Sequence, residues 1–115
     1  MDLSFSNKKL EKDFNEGARL QKVHGVRRAQ KIRIRMAELR AAASLKDFWP
    51  PKSGPSRCHE LTHGQRKGRL SVDLDHPYRL IFIPDHDPVP RREDGGLDWS
   101  LVTAITILDI EDTHD

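Results

Sequence analysis

The chain has 115 residues, enough for a single domain over residues 1–115, and a chain of this length buries roughly 60–70% of its unfolded surface, so one core forms without metal or disulfide staples. Charged residues make up 33% and apolar residues 36%, and 20 basic against 18 acidic side chains leave a formal +2, which excludes a strongly cationic tail protein. The average conceals an asymmetry, because residues 1–70 hold 17 Lys or Arg against 7 Asp or Glu, net +10, whereas residues 71–115 hold 3 against 11, net −8. The halves therefore attract each other or serve different partners.

In chain order, Leu3 and Phe5 alternate with Ser4 and Ser6, the pattern of a short first strand. Ser6 then reads as an N-cap. Leu10 and Phe14 share one helical face, and Gly17 offers a stop, which predicts a short helix over residues 7–16. From about His24 to Ala43, Val26, Ala29, Ile32, Met36, Leu39 and Ala43 recur at spacings of three and four, the stripe of a longer amphipathic helix. Its other faces carry Arg27, Arg28, Lys31, Arg33, Arg35 and Arg40. The two helices are expected to pack as an antiparallel hairpin.

FWPPKSGPS, residues 48–56, is the densest loop signal. If residues 57–63 form a strand, His59, Leu61 and His63 share one face. Leu70, Val72 and Leu74 alternate with polar neighbours, His76-Pro77 marks a turn, and YRLIFI (78–83) and VTAITILDI (102–110) are apolar on both faces, as interior strands are. The insert PDHDPVPRREDGGLDWS, residues 84–100, predicts a long mobile connection. Helices ahead of a run of strands indicate an α+β fold, two N-terminal helices packed on a mainly antiparallel sheet, with the opposite sheet face left free for a site.

Arg57, Arg66, Lys67 and Arg69 crowd a short segment with His59 and His63, a density of cations that binds phosphate or simply solvates a hairpin tip. Histidines among cations have depressed basicity. Arg79 lies inside an apolar strand, so it needs either an anionic ligand or an acidic partner, for which Asp73, Asp109 and Asp112 are the candidates. At the C-terminus, DIEDTHD sets His114 among carboxylates, which raises its basicity and makes it a proton donor. One imidazole among cations and another among anions is how environment separates a base from an acid. A metal site at the terminus has little support, and no metal or cofactor is expected.

The surplus of arginine on the long helix suits an RNA-rich surface or an acidic protein, but no helix-turn-helix, zinc-finger or aromatic stacking motif accompanies it. The lone Cys58 forms no internal disulfide and no cysteine zinc site, which fits a reducing compartment. No apolar run approaches the ~18 residues of a membrane span, and MDLSFSNKK is not a signal peptide. A cytoplasmic protein with no membrane partner is expected.

The order of SFSNKKLEKDFNEG, MAELRAAASLKDF, RCHEL, GRLSVDL, PYRLIF and IEDTHD resembles the RelE/ParE superfamily of type II toxins, most closely the HigB-like killer toxins, over most of the chain. That resemblance implies a ribosome-dependent endoribonuclease, an mRNA interferase that cuts messenger RNA on the ribosome without metal and is held inactive by a cognate, HigA-like antitoxin. The ribose 2′-hydroxyl attacks the adjacent phosphorus while protein groups take its proton, neutralise the phosphate and protonate the leaving oxygen. It implies that His59 is the general base or acid, that Arg79 clamps the scissile phosphate, that Asp112 and His114 orient or protonate, and that Arg66, Lys67 and Arg69 bind phosphate. The family's tyrosine before the last histidine is Thr113 here, and its lysine after the R-x-H-x-L strand is replaced by Thr62. A non-enzymatic ParE-like toxin that poisons a topoisomerase by binding is the alternative, and a plain binding module is a third reading.

Overall fold

The structure, a computed structural model, describes residues 1–112, so His114 and Thr113 lie outside the described residues. Five strands form one sheet, β1 (Asp2–Phe5), β2 (His59–Glu60), β3 (Leu70–Asp73), β4 (Tyr78–Pro84) and β5 (Ala104–Asp112), in the order β1-β5-β4-β3-β2. The β1–β5 pair is parallel and the other three are antiparallel. The helices α1 (Lys8–Asn15), α2 (Gly17–His24) and α3 (Val26–Ala41) all precede β2, which gives the α+β architecture expected. None of the described helices is long and apolar enough to cross a membrane.

Alternation places Leu70, Val72, Leu80, Phe82, Ile105 and Ile107 on one sheet face, where they meet Leu20, Ala29, Ile32, Met36 and Leu39 from the helices in a single buried cluster. The helical hairpin differs from expectation in its first arm. Gly17 begins a helix instead of ending one, because the break falls at Glu16, whose extended backbone separates α1 from α2. Asp13 braces this joint by accepting from Arg19 at 2.6 Å. Gly25, at φ +82°, supplies the turn into α3 that a side chain would strain. The cap of α1 is Asn7, whose side chain accepts from the Leu10 amide at 2.8 Å, and not Ser6, whose amide still pairs with the Ile107 carbonyl as an extension of β1.

Arg28, Arg33 and Arg35 were expected on the solvated side of the long helix; Arg28 and Arg35 are drawn inward, while Arg33 stays exposed. Arg28 bonds Asp75 at 3.0 Å and stacks 3.6 Å over the Tyr78 ring, and Arg33 donates to the Gly17 carbonyl. Arg35 is 5% exposed and donates to the carbonyls of Asp73 and Pro55 and to Glu38. It thereby ties α3 to the end of β3 and to the loop preceding β2. Arg35→Ala leaves two carbonyls unpaired and is expected to destabilise the fold by about 3 kcal/mol. A urea midpoint within error of the native one contradicts this.

The 84–100 insert is anchored rather than mobile. Leu97 and Trp99 are buried in the core, Trp99 Nε1 donates to Glu60 at 3.1 Å, and His86 Nε2 accepts from the amides of Thr103 and Ala104. Proline and glycine exclude long ladder pairing here, but they do not prevent two apolar side chains from docking.

Candidate active site

The sheet face away from the helices is not left wholly free, because Ser71 and Ile81 on it are fully buried. His59 lies opposite Ser71, Ser71 opposite Ile81 and Ile81 opposite Asp109; two residues along, Asp73, Arg79 and Glu111 are aligned across β3, β4 and β5. Arg79 therefore stands on the middle strand of five. Two strand spacings, roughly 10 Å, separate the backbones of β2 and β4, a gap that an arginine side chain largely spans. His59 and Arg79 line one cleft of about 490 Å³ with Pro51, Lys52, Arg57 and His63.

His59 is 8% exposed, while its neighbour Cys58 points into the core, where burial pushes the thiol up to about 12 and removes it as a nucleophile. His59 Nδ1 lies 2.7 Å from the Arg57 carbonyl; with the proton assigned to Nδ1 as donor, Nε2 carries the free lone pair. Burial pushes the pKa of His59 down from its ordinary 6.5; the Arg57 carbonyl opposes this, and the charges of Arg79 and Lys52 reinforce it. A neutral imidazole at pH 7 is a proton acceptor. The linkage has one sign. The unfolded chain binds a proton on this ring below 6.5 that the native chain resists, so stability present above 6.5 is lost as pH falls towards the depressed native value. Burial depresses His24 in the same direction. Urea midpoints are expected to fall between pH 7 and 5, and the fall is expected to shrink in His59→Gln; an unchanged slope in that variant contradicts the assignment.

Of the three acids proposed as partners for Arg79, the structure selects Asp73, whose Oδ1 is 3.2 Å from Nε. Arg57 Nε reaches the other oxygen at 3.5 Å, so one carboxylate sits between two guanidinium groups. Asp73 Oδ1 accepts no well-directed hydrogen bond, and among the described residues none engages the terminal nitrogens of Arg79. Charge holds this arginine in place without the bidentate fork that would saturate it, and an arriving phosphate finds donors available.

The rim of the cleft is strained. Lys52 and Arg57 adopt positive φ, 64° and 48°, although neither is glycine, and the Lys52 amide closes the loop on the Cys58 carbonyl at 3.0 Å. Each such residue costs roughly 1 kcal/mol or more. Lys52→Gly is expected to leave stability equal or higher by up to about 1 kcal/mol while lowering anion affinity. Destabilisation in a denaturation curve contradicts this account.

The remaining expected site residues are placed differently. The strand predicted over residues 57–63 ends at Glu60, because Gly64 and a 3₁₀ turn bend the chain away, so His63 sits exposed on the rim instead of sharing a strand face with His59. Arg66 and Arg69 are tied to Glu111, with Arg66 nitrogens at 2.9 and 3.0 Å and Arg69 at 3.8 Å, which pins the β2–β3 loop to β5 across β4. Lys67 is exposed. Asp112 pairs in register with Tyr78, which puts it on the sheet face opposite Arg79, and Glu111 is the carboxylate on the cleft side. The role expected of His114 lies outside the described residues. Lys52 was not foreseen as a cleft residue, although the dense loop signal around it was the available clue, and Arg57 was foreseen only as one cation of the crowded segment. No protein-family model matches the sequence, and no curated protein matches it.

Proposed function

We propose that this protein is an endoribonuclease that cleaves messenger RNA on the ribosome by general acid–base chemistry, the toxin of a cytoplasmic type II toxin–antitoxin pair neutralised by a HigA-like antitoxin. The observation that carries the reading is the convergence on one cationic cleft of His59, its basicity depressed, and Arg79, with Nε2 of the first and the terminal nitrogens of the second unengaged among the described residues. The architecture is compatible with a RelE-like fold, and the resemblance in motif order to HigB-like toxins points to the same chemistry.

His59 Nε2 takes the proton of the ribose 2′-hydroxyl as that oxygen attacks the adjacent phosphorus. Arg79, supported by Arg57 and Lys52, neutralises the charge that grows on the phosphate oxygens. The leaving 5′-oxygen needs a proton, and His63, on the rim of the same cleft, is a second imidazole available to deliver it. The products are a 2′,3′-cyclic phosphate and a 5′-hydroxyl.

The test is induced expression with growth recorded and message ends mapped, paired with a translating extract to which the purified chain is added. Growth arrest with cuts bearing those two ends supports the proposal. Growth arrest with intact messages and inhibited topoisomerase transfers the assignment to the ParE-like alternative, and a chain that neither arrests growth nor cuts translated messages rejects both.

A further inference from the structure

A second hollow, of about 220 Å³, opens beside the cleft and is lined by Lys46, Trp49, Arg92, Leu97, Asp98 and Trp99. Trp49 is 49% exposed although it is the largest kind of apolar side chain, and Trp99 beneath it is 3% exposed. Their rings meet edge-to-face, 5.1 Å between centroids at 90°. Such a contact uses at most one face of Trp49, so at least one π-face is not covered by Trp99. Trp99 cannot yield, because its Nε1 is bonded to Glu60, and it therefore fixes the orientation of Trp49. Lys46 and Arg92 line the same hollow as the ring, Arg92 with its Nε 3.4 Å from Asp94 Oδ1, and Asp98 Oδ1 accepts from the amide and hydroxyl of Ser100.

Two connections join this hollow to the cleft. Trp49 is followed by Pro50, Pro51 and Lys52, the last two of which line the cleft, and three residues span at most about 10 Å. Glu60, the partner of Trp99, lines the cleft as well.

We propose that Trp49 is a stacking platform for a base of the cleaved RNA strand, one adjacent or next-but-one to the scissile phosphate, with Lys46 and Arg92 holding the flanking phosphates. An exposed aromatic face between cations is the recurring device for single-stranded nucleic acid, and it tolerates any base because every base has a π-face. This inference rests on the endoribonuclease reading and gives that reading its substrate-binding surface outside the chemistry.

The experiment measures binding of the full chain to ribosomes programmed with a message made uncleavable by 2′-methoxy ribose at the cut, using the native chain, Trp49→Ala, Trp49→Phe and Arg79→Ala. Messages with one abasic nucleotide at successive positions are scanned against each. Trp49→Ala is expected to weaken binding by about 5- to 150-fold and Trp49→Phe by much less, since stacking is worth about 1–3 kcal/mol per base. One abasic position is expected to reproduce the loss in the native chain and to add nothing to it in Trp49→Ala. Native-like binding by Trp49→Ala alongside weakened binding by Arg79→Ala overturns the stacking platform and leaves the nuclease reading standing, as does an abasic loss undiminished in Trp49→Ala. Failure of the native chain to prefer programmed over empty ribosomes overturns both.

Discussion

Arg79→Ala is expected to lower message cleavage by about 10²- to 10³-fold and to abolish growth arrest, with the fold retained. The size follows from the role. A donor aimed at charge that develops only in the transition state is commonly worth that much, because nothing else in a partly desolvated cleft replaces it at the moment of reaction. The fold survives because Asp73 is not abandoned: Arg57 remains 3.5 Å from its other oxygen. The pair is also only partly buried, with side chains 25% and 27% exposed, so its loss costs about 1 kcal/mol or less. Arg79→Lys keeps the charge but loses the planar fork and falls between the two. Single-turnover cleavage with folding followed in parallel checks the prediction. An alanine variant that cuts at the native rate removes the phosphate clamp from the mechanism.

His59→Gln is expected to reduce cleavage by about 10²- to 10⁴-fold, the usual contribution of a positioned general base. Glutamine is the informative replacement because it is polar and of similar length, with an amide near the position of Nε2, yet cannot accept a proton near neutrality. The pH profile adds a readout that simple loss of shape would not move. With the native ring depressed below 6.5, the acid limb of the native profile lies below that value, and the glutamine variant loses this limb while residual activity persists. An acid limb unchanged in the variant shows that another group carries the proton.

Several of the stability predictions share an origin with these two. Lys52 and Arg57 hold left-handed backbone on the cleft rim, and His59 gives up solvation to lie under it, so each is disfavoured locally and is held by its surroundings. Arg35 belongs to those surroundings. Its bonds to the Asp73 and Pro55 carbonyls join the loop that carries the rim to the strand end that carries the carboxylate between two arginines. Arg35→Ala should therefore loosen the cleft as well as weaken the core.

Local pattern by itself settled that α1 and α3 are helices, that β3, β4 and β5 are strands, and that Arg79 stands on a central strand, but it missed α2 and overran β2. Those properties follow from side-chain periodicity of 3.6 or 2 against a backbone whose geometry is fixed. That His59 and Arg79 belong to one site was expected only through the resemblance in motif order. Only the tertiary structure decided who meets whom. The choice of Asp73 over Asp109 and Asp112 depends on the β3–β4 register, and the cleft-side position of Glu111 depends on an irregularity in β5 between Ile107 and Asp109 that shifts the parity of every residue beyond it. The inward turn of Arg28 and Arg35, the anchoring of the 84–100 insert and the pairing of Trp49 with Trp99 join residues far apart in the chain. Periodicity reports only a residue's own face, and the energy of a charge or an aromatic ring is set by what the fold brings against that face.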